Sequence, residues 1–123
     1  MSVLLDTNVV VDYLRGHRAA IDFVDAISSQ PGTSSIVVAE LIAGASSQRD
    51  ERRLEDVLRG ATILSATEEI ARRAGAWMRI YAASHSVGLA DALIAATAEH
   101  HGLPLATLNV RHFPMFPRLK PAY

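Results

Sequence analysis

Three features of the chain predict a three-layer α/β/α fold built on a short-stranded parallel sheet. Brief apolar runs such as Val3-Leu4-Leu5, Ala61-Thr62-Ile63-Leu64 and Leu105-Ala106-Thr107-Leu108 alternate with segments whose apolar residues recur at helical spacing. Strands that alternate with helices pair in parallel, and the helices then cover both faces of the sheet. The length of 123 residues, half of them apolar, suffices for one sizeable core, so a single domain over 1–123 is expected.

Val3-Leu4-Leu5 reads as the first strand, broken by Asp6-Thr7-Asn8, whose side chains favour helix starts. Val9, Val10, Tyr13 and Leu14 repeat at helical spacing up to Gly16, and Ile21, Phe23, Val24 and Ile27 mark a second helix ending near Pro31-Gly32. Thr33-Ser34 is a very short second strand. Ser35 is expected to cap a helix running to about residue 45, with Glu40 one turn beyond Ile36. From Gln48 to Arg59 only Leu54, Val57 and Leu58 form an apolar stripe among charges, which describes a surface helix ended by Gly60. Residues 61–64 are the third strand, and Thr67 with Glu68 and Glu69 opens a helix whose buried side is Ile70, Ala74, Trp77, Met78 and Tyr81. A loop at 84–88 leads into an alanine-rich helix over about 89–101, closed by Gly102. Residues 105–108 form the fourth strand after Pro104, and 114–121 is proline-punctuated coil around a short strand near Leu119.

Composition narrows the function. The formal charge of −1 gives no long-range pull on phosphate, which argues against a nucleic-acid binder living on electrostatics alone. Lys120 is the only lysine; the remaining positive charge is arginine. The absence of cysteine removes disulfides, thiolate nucleophiles and cysteine-type zinc sites together, so a metal must accept oxygen or imidazole ligands. No run approaches the ~20 apolar residues of a membrane span, and the stretch Met1-Ser2-Val3-Leu4-Leu5-Asp6 has no basic start to a leader, so cytoplasmic residence is expected.

Four polar positions interrupt apolar runs: Asp6 after Leu5, Glu40 within Val38-Ala39-Glu40-Leu41, Asp91 within Leu89-Ala90-Asp91-Ala92, and Asn109 after Leu108. A carboxylate moved away from water costs several kcal/mol unless it is paired, protonated or bound to a cation. The three acids have no lysine or arginine within their own runs. In a parallel sheet ligands collect at the carboxyl ends of the strands, where Asp6, Glu40, Asp91 and Asn109 can meet. Three acids brought together raise one another's pKa unless a cation neutralises them, which points to a ligand set. Oxygen-only ligands select a hard ion, Mg²⁺ or its substitute Mn²⁺. Such ions activate water and stabilise the leaving oxygen of a phosphodiester, so hydrolysis of a nucleic-acid backbone is the expected chemistry.

Structural roles alone would account for several of these residues. Asp6 is a good helix N-cap, Asp91 favours the positive end of a helix dipole, and Thr7 and Asn8 suit capping. Glu40 is the most telling, because a mid-helix glutamate between apolar neighbours gains nothing from capping. His17, His85, His100 and His101 lie at turns and helix ends, where solvated imidazole is ordinary; His112 alone is near the expected site, as a packing or substrate-contacting group. Arg49, Arg52, Arg53 and Arg59 interleave with acids as a solvated face. Trp77, Met78 and Tyr81 are core or dimer contacts.

The segments Leu5-Asp6-Thr7-Asn8-Val9-Val10-Val11-Asp12-Tyr13-Leu14, Thr33-Ser34-Ser35-Ile36-Val37-Val38-Ala39-Glu40-Leu41, Leu89-Ala90-Asp91-Ala92-Leu93-Ile94 and Ala106-Thr107-Leu108-Asn109-Val110-Arg111-His112-Phe113 resemble the PIN domain, specifically the VapC-type toxins of bacterial toxin–antitoxin pairs. The resemblance spans almost the whole chain. It implies a magnesium-dependent endoribonuclease, with Asp6, Glu40 and Asp91 as the acidic triad. Asn109 falls where many members carry a fourth acid, which puts a fully occupied second metal site in doubt. Thr7 and Thr107 would orient carboxylates, and Asn8 would hold the first turn together. It also implies a homodimer and a VapB-like antitoxin whose amphipathic helix docks in an apolar groove between the helix carrying Glu40 and the arginine-rich helix after it. The alternatives are a PIN-like module that binds RNA or protein without cutting, and a phosphoryl-transfer fold. The latter usually asks for a lysine after a late strand, and Lys120 lies in proline-rich coil.

Overall fold

The computed structural model describes residues 3–123; of the expected 1–123 domain, Met1 and Ser2 lie outside the described residues. Four strands, β1 (Leu4–Leu5), β2 (Gly32–Ser34), β3 (Thr62–Leu64) and β4 (Leu105–Ala106), form one wholly parallel sheet in the order β3-β2-β1-β4. Between them run α1 (Thr7–Leu14), α2 (Arg18–Asp25), α3 (Ser35–Gly44), α4 (Gln48–Arg59), α5 (Glu68–Tyr81) and α6 (Leu89–His100), and a single 3₁₀ turn at Val110–His112 follows β4. This is the α/β arrangement that the alternating pattern predicts.

Two-sided burial explains why the strands read as apolar runs without alternation. Leu4, Leu5, Leu105 and Ala106 are all buried, and the hydroxyl of Thr33, buried on β2, donates to the Leu5 carbonyl at 3.0 Å. The register pairs Leu5 with both Thr33 and Ala106. The central strand therefore ends beside its neighbours' ends, and Asp6 emerges there at the carboxyl edge.

Helix boundaries follow their capping chemistry. Thr67 accepts from the Ile70 N–H at 3.3 Å and Ser47 from the Asp50 N–H at 3.1 Å, both as N-caps. Gly102, with φ +65°, takes the left-handed conformation that ends α6. Ile70, Ala74 and Trp77 are the buried stripe of α5; Trp77 meets Phe116 edge-on at 5.9 Å between ring centroids.

Three expectations need correction. Ser35 is the first residue of α3, and its cap is Ser34, whose Oγ accepts from the Ile36 N–H at 2.9 Å; Ser35 Oγ instead accepts from the Ala66 N–H at 3.1 Å, tying the segment after β3 to α3. The fourth strand ends at Ala106, so Asn109 does not directly follow it. No strand forms near Leu119, whose N–H closes a turn on the Phe116 carbonyl at 3.1 Å, because prolines on either side deny the backbone a ladder.

Candidate metal centre

Asp6 is the anchor of the site. It lies between β1 and α1, only 4% exposed, and both its oxygens are engaged. Oδ1 accepts from the Thr7 N–H at 2.8 Å, and Oδ2 accepts from the Thr107 hydroxyl at 2.7 Å and the Asn8 amide at 3.1 Å. Asp6 is thus the N-cap of α1, as its capping chemistry suggests, and a buried carboxylate at the same time. Burial pushes its pKa up; the hydrogen bonds from Thr107 and Thr7 oppose this, and the negative charges of Asp91 and Glu40 add to the rise. Its three donors are neutral, and among the described residues no lysine or arginine forms an ion pair with Asp6, Glu40 or Asp91.

Glu40 stands on the fifth position after the Ser35 start of α3, and the Thr7 hydroxyl donates to its Oε1 at 2.6 Å. The sequence pattern placed it within an apolar run and so away from water; it is exposed. Only Val37 and Leu41 of α3 form the buried stripe, and Glu40 sits on the rim of that stripe, with Ile42 at 54% exposure on the open side. The cost of desolvation therefore applies to Asp6 and not to Glu40.

Asp91 occupies the first turn of α6, where its Oδ2 accepts from the Gly88 N–H at 3.0 Å and lies 3.3 Å from His112 Nδ1. The helix-start role expected of it is present, and its charge still reaches Asp6. Asn109 is exposed; its backbone N–H donates to Thr107 Oγ1 at 3.0 Å. Asn8 does more than hold its own turn. Its amide nitrogen also donates to Thr107 Oγ1 at 3.2 Å, and its Oδ1 accepts from the Leu108 N–H at 3.0 Å, so it staples α1 to the segment after β4.

Asp6, Thr7, Asn8, Glu40 and Thr107 therefore form one hydrogen-bonded network, and Asp91 joins it through electrostatics. Among the described residues, no three His, Asp or Glu side chains stand close enough to hold an ion as they are. The donor chemistry nevertheless fits a hard divalent cation: oxygen atoms only, a net negative cluster, and a buried carboxylate with raised pKa and no cationic partner. His112 was recognisable as near the site, but its approach to Asp91 depends on the 3₁₀ turn, for which the sequence carries no clear signal.

Beside Glu40 opens a groove of about 340 Å³ between α3 and α4, lined by Leu41, Gly44, Asp50, Arg53 and Leu54. Its third wall is α1, through Val11, Leu14 and Arg15, which the two-helix expectation omitted; Arg53 of α4 donates across it to the Leu14 carbonyl.

A wholly parallel sheet with Asp6 buried at its carboxyl edge, and Glu40 and Asp91 near enough to act on its charge, defines a class of α/β proteins with an acidic site. Residues 3–118 match the PIN domain, and the chain belongs to that family, as a VapC-type member. It is 48% identical to Ribonuclease VapC10 of Mycobacterium tuberculosis over 124 residues, covering 98% of this chain and 92% of the relative. Ribonuclease VapC19 of the same organism is 40% identical, with 98% of each chain covered. Among solved structures, a toxin–antitoxin complex from Klebsiella pneumoniae contains a chain that superimposes with a TM-score of 0.86 at 33% identity, covering 99% of this chain and 98% of that one.

Proposed function

We propose that the chain is an endoribonuclease toxin, a single PIN-like domain that needs Mg²⁺, with Mn²⁺ as substitute, to hydrolyse RNA phosphodiester bonds in the cytoplasm. The observation that carries this reading is the buried Asp6 carboxylate, electrostatically coupled to Glu40 and Asp91 and lacking any cationic partner among the described residues. Asp6, Asp91 and Glu40 would hold the ion, and Asn109 would offer a neutral oxygen at the rim. When bound, the ion supplies activation of water and neutralisation of charge at the phosphate.

The protein's own part is orientation. Thr107 and Thr7 fix the oxygens of Asp6, the Thr7 hydroxyl restrains exposed Glu40, and Asn8 keeps α1 and the Thr107 segment in register. These hydroxyl and amide contacts set the angle from which each acid meets a ligand, the outer-shell function on which metal affinity depends. The likeness to two ribonucleases supports RNA as substrate.

The partner we propose is a VapB-like antitoxin. It would lie in the groove between α1, α3 and α4, whose apolar floor and mixed charges suit an amphipathic helix with a basic group directed to Glu40. The likeness to a chain of the Klebsiella toxin–antitoxin complex supports such a partner. A homodimer is proposed with it.

The test is cleavage of RNA by purified protein with Mg²⁺ or Mn²⁺. Activity is expected to vanish in excess EDTA and in Asp6→Ala and Asp91→Ala, and cleavage persisting undiminished in EDTA would refute the reading. A second reading, RNA or protein binding without turnover, is favoured by the absence of a ready-made three-acid grouping among the described residues. Retained RNA affinity with no metal-dependent cutting would select it.

A further inference from the structure

We infer that Tyr123 is a positioning residue for the nuclease centre, acting through Asp12 and Thr107 on Asp6; this rests on the metal-dependent reading above. Two consecutive tail residues bind two different elements. The Ala122 N–H donates to the Thr107 carbonyl at 2.9 Å, and the Tyr123 hydroxyl donates to Asp12 Oδ2 at 2.7 Å.

The elements so joined are those between which Asp6 is held. Asp12 belongs to α1, whose N-cap is Asp6. Thr107 supplies the 2.7 Å hydrogen bond to Asp6 Oδ2 and, through the same hydroxyl, gathers Asn8 and the Asn109 N–H. Nothing else described fastens the Thr107 carbonyl. β4 is an edge strand whose pairing with β1 consists of Leu4 with Leu105 and Leu5 with Ala106, and the ladder's last bond runs from the Asp6 N–H to the Ala106 carbonyl. The tail takes over where the ladder stops.

Tyr123 is itself anchored. Its ring is half-buried against His17 and Phe23, at 5.8 and 6.1 Å between centroids, so the phenol is delivered to Asp12 from a fixed platform. Packing accounts for the ring and not for the hydroxyl, and the two contributions separate experimentally.

Tyr123→Phe keeps the ring and removes the O–H donor. Removing a group that hydrogen-bonds a metal ligand directly typically weakens metal binding or activity by about 10- to 100-fold, and Tyr123 stands one contact further out, on Asp12. The expected result is a loss near the lower end of that range in Mn²⁺ affinity, measured by calorimetry on the protein without RNA. A matching fall in kcat and little change in KM for RNA should accompany it, with a folded, cooperative melting transition. Asp12→Ala should give the same loss and the double variant no more, because both remove one hydrogen bond. Asp12→Asn, which keeps an acceptor oxygen, should restore most of the affinity.

Wild-type Mn²⁺ affinity in a folded Tyr123→Phe protein overturns the proposal, as do additive losses in the double variant. Failure of both single variants to fold also overturns it, since the contact would then be one of stability. If the wild-type protein neither binds Mn²⁺ nor cuts RNA, the nuclease reading fails and this inference with it; if it does both and Tyr123→Phe matches it, this inference alone fails.

Discussion

At the scale of single residues the site is graded in depth: Asp6 is buried, Asp91 half-buried and Glu40 open to water. Burial drives up the pKa of Asp6, and this fixes a pH dependence. Because the folded pKa of Asp6 exceeds its ordinary value of 3.8, the metal-free folded protein binds more protons than the unfolded chain between the two values. Stability is therefore lost as pH rises through that window, and the loss is complete above the folded value. Melting curves in EDTA should show wild type declining relative to Asp6→Asn as pH rises from acid to neutral, and a constant difference would contradict the assignment. Adding Mn²⁺ at neutral pH should raise the melting temperature of wild type and leave Asp6→Asn unmoved. Thr107→Val keeps the shape but removes the hydroxyl donor to the buried Asp6 carboxylate; urea unfolding should register a loss of about 1–3 kcal/mol, the range for a lost hydrogen bond to a buried charged group. Asp6, Glu40 and Asp91 were nameable from sequence because each interrupts an apolar run or follows a strand, whereas Thr7, Asn8 and Thr107 were named through the resemblance to the PIN domain. The exposure of Glu40 was not, since an apolar run does not reveal which side of a helix lacks a covering layer.

At the scale of elements, caps and strand ends decide where the functional side chains stand. Ser34 closes β2 and caps α3 in one residue, so it sets where the helix bearing Glu40 begins. Ser34→Ala should cost about 1 kcal/mol by denaturant titration, the usual value of a lost N-cap. Periodicity and capping residues placed every helix within a few positions, because these signals are local. What they missed depends on contacts across the chain. The choice between Ser34 and Ser35 as cap turns on Ala66, 31 positions away, which claims the Ser35 hydroxyl. The early end of β4 and the turn at Leu119 reflect an edge strand with one neighbour and a tail held by turns and side-chain contacts.

At the scale of the whole molecule, the alternation of strands and helices made the layered parallel architecture legible, whereas the strand order β3-β2-β1-β4 rests on tertiary pairing. Exposed apolar side chains are ordinary one at a time and mark an interaction surface only where they adjoin. Ile80 near the end of α5 and Leu89 at the start of α6 are 62% and 58% exposed, and they are our candidates for the proposed homodimer contact. Light scattering should report a dimer for wild type and a monomer for the Ile80→Lys, Leu89→Lys double variant, with the fold retained.

The central place of β1 in that order governs when the molecule can become dangerous. Its neighbours come from residues 32–34 and 105–106, and the clasp on Asp6 from a threonine 101 positions downstream. A polypeptide still emerging from the ribosome holds its first acid with nothing to cradle it. Cutting power on the proposed reading thus arises only once the segment bearing Thr107 has been made, which gives a neutralising protein made beforehand time to be waiting.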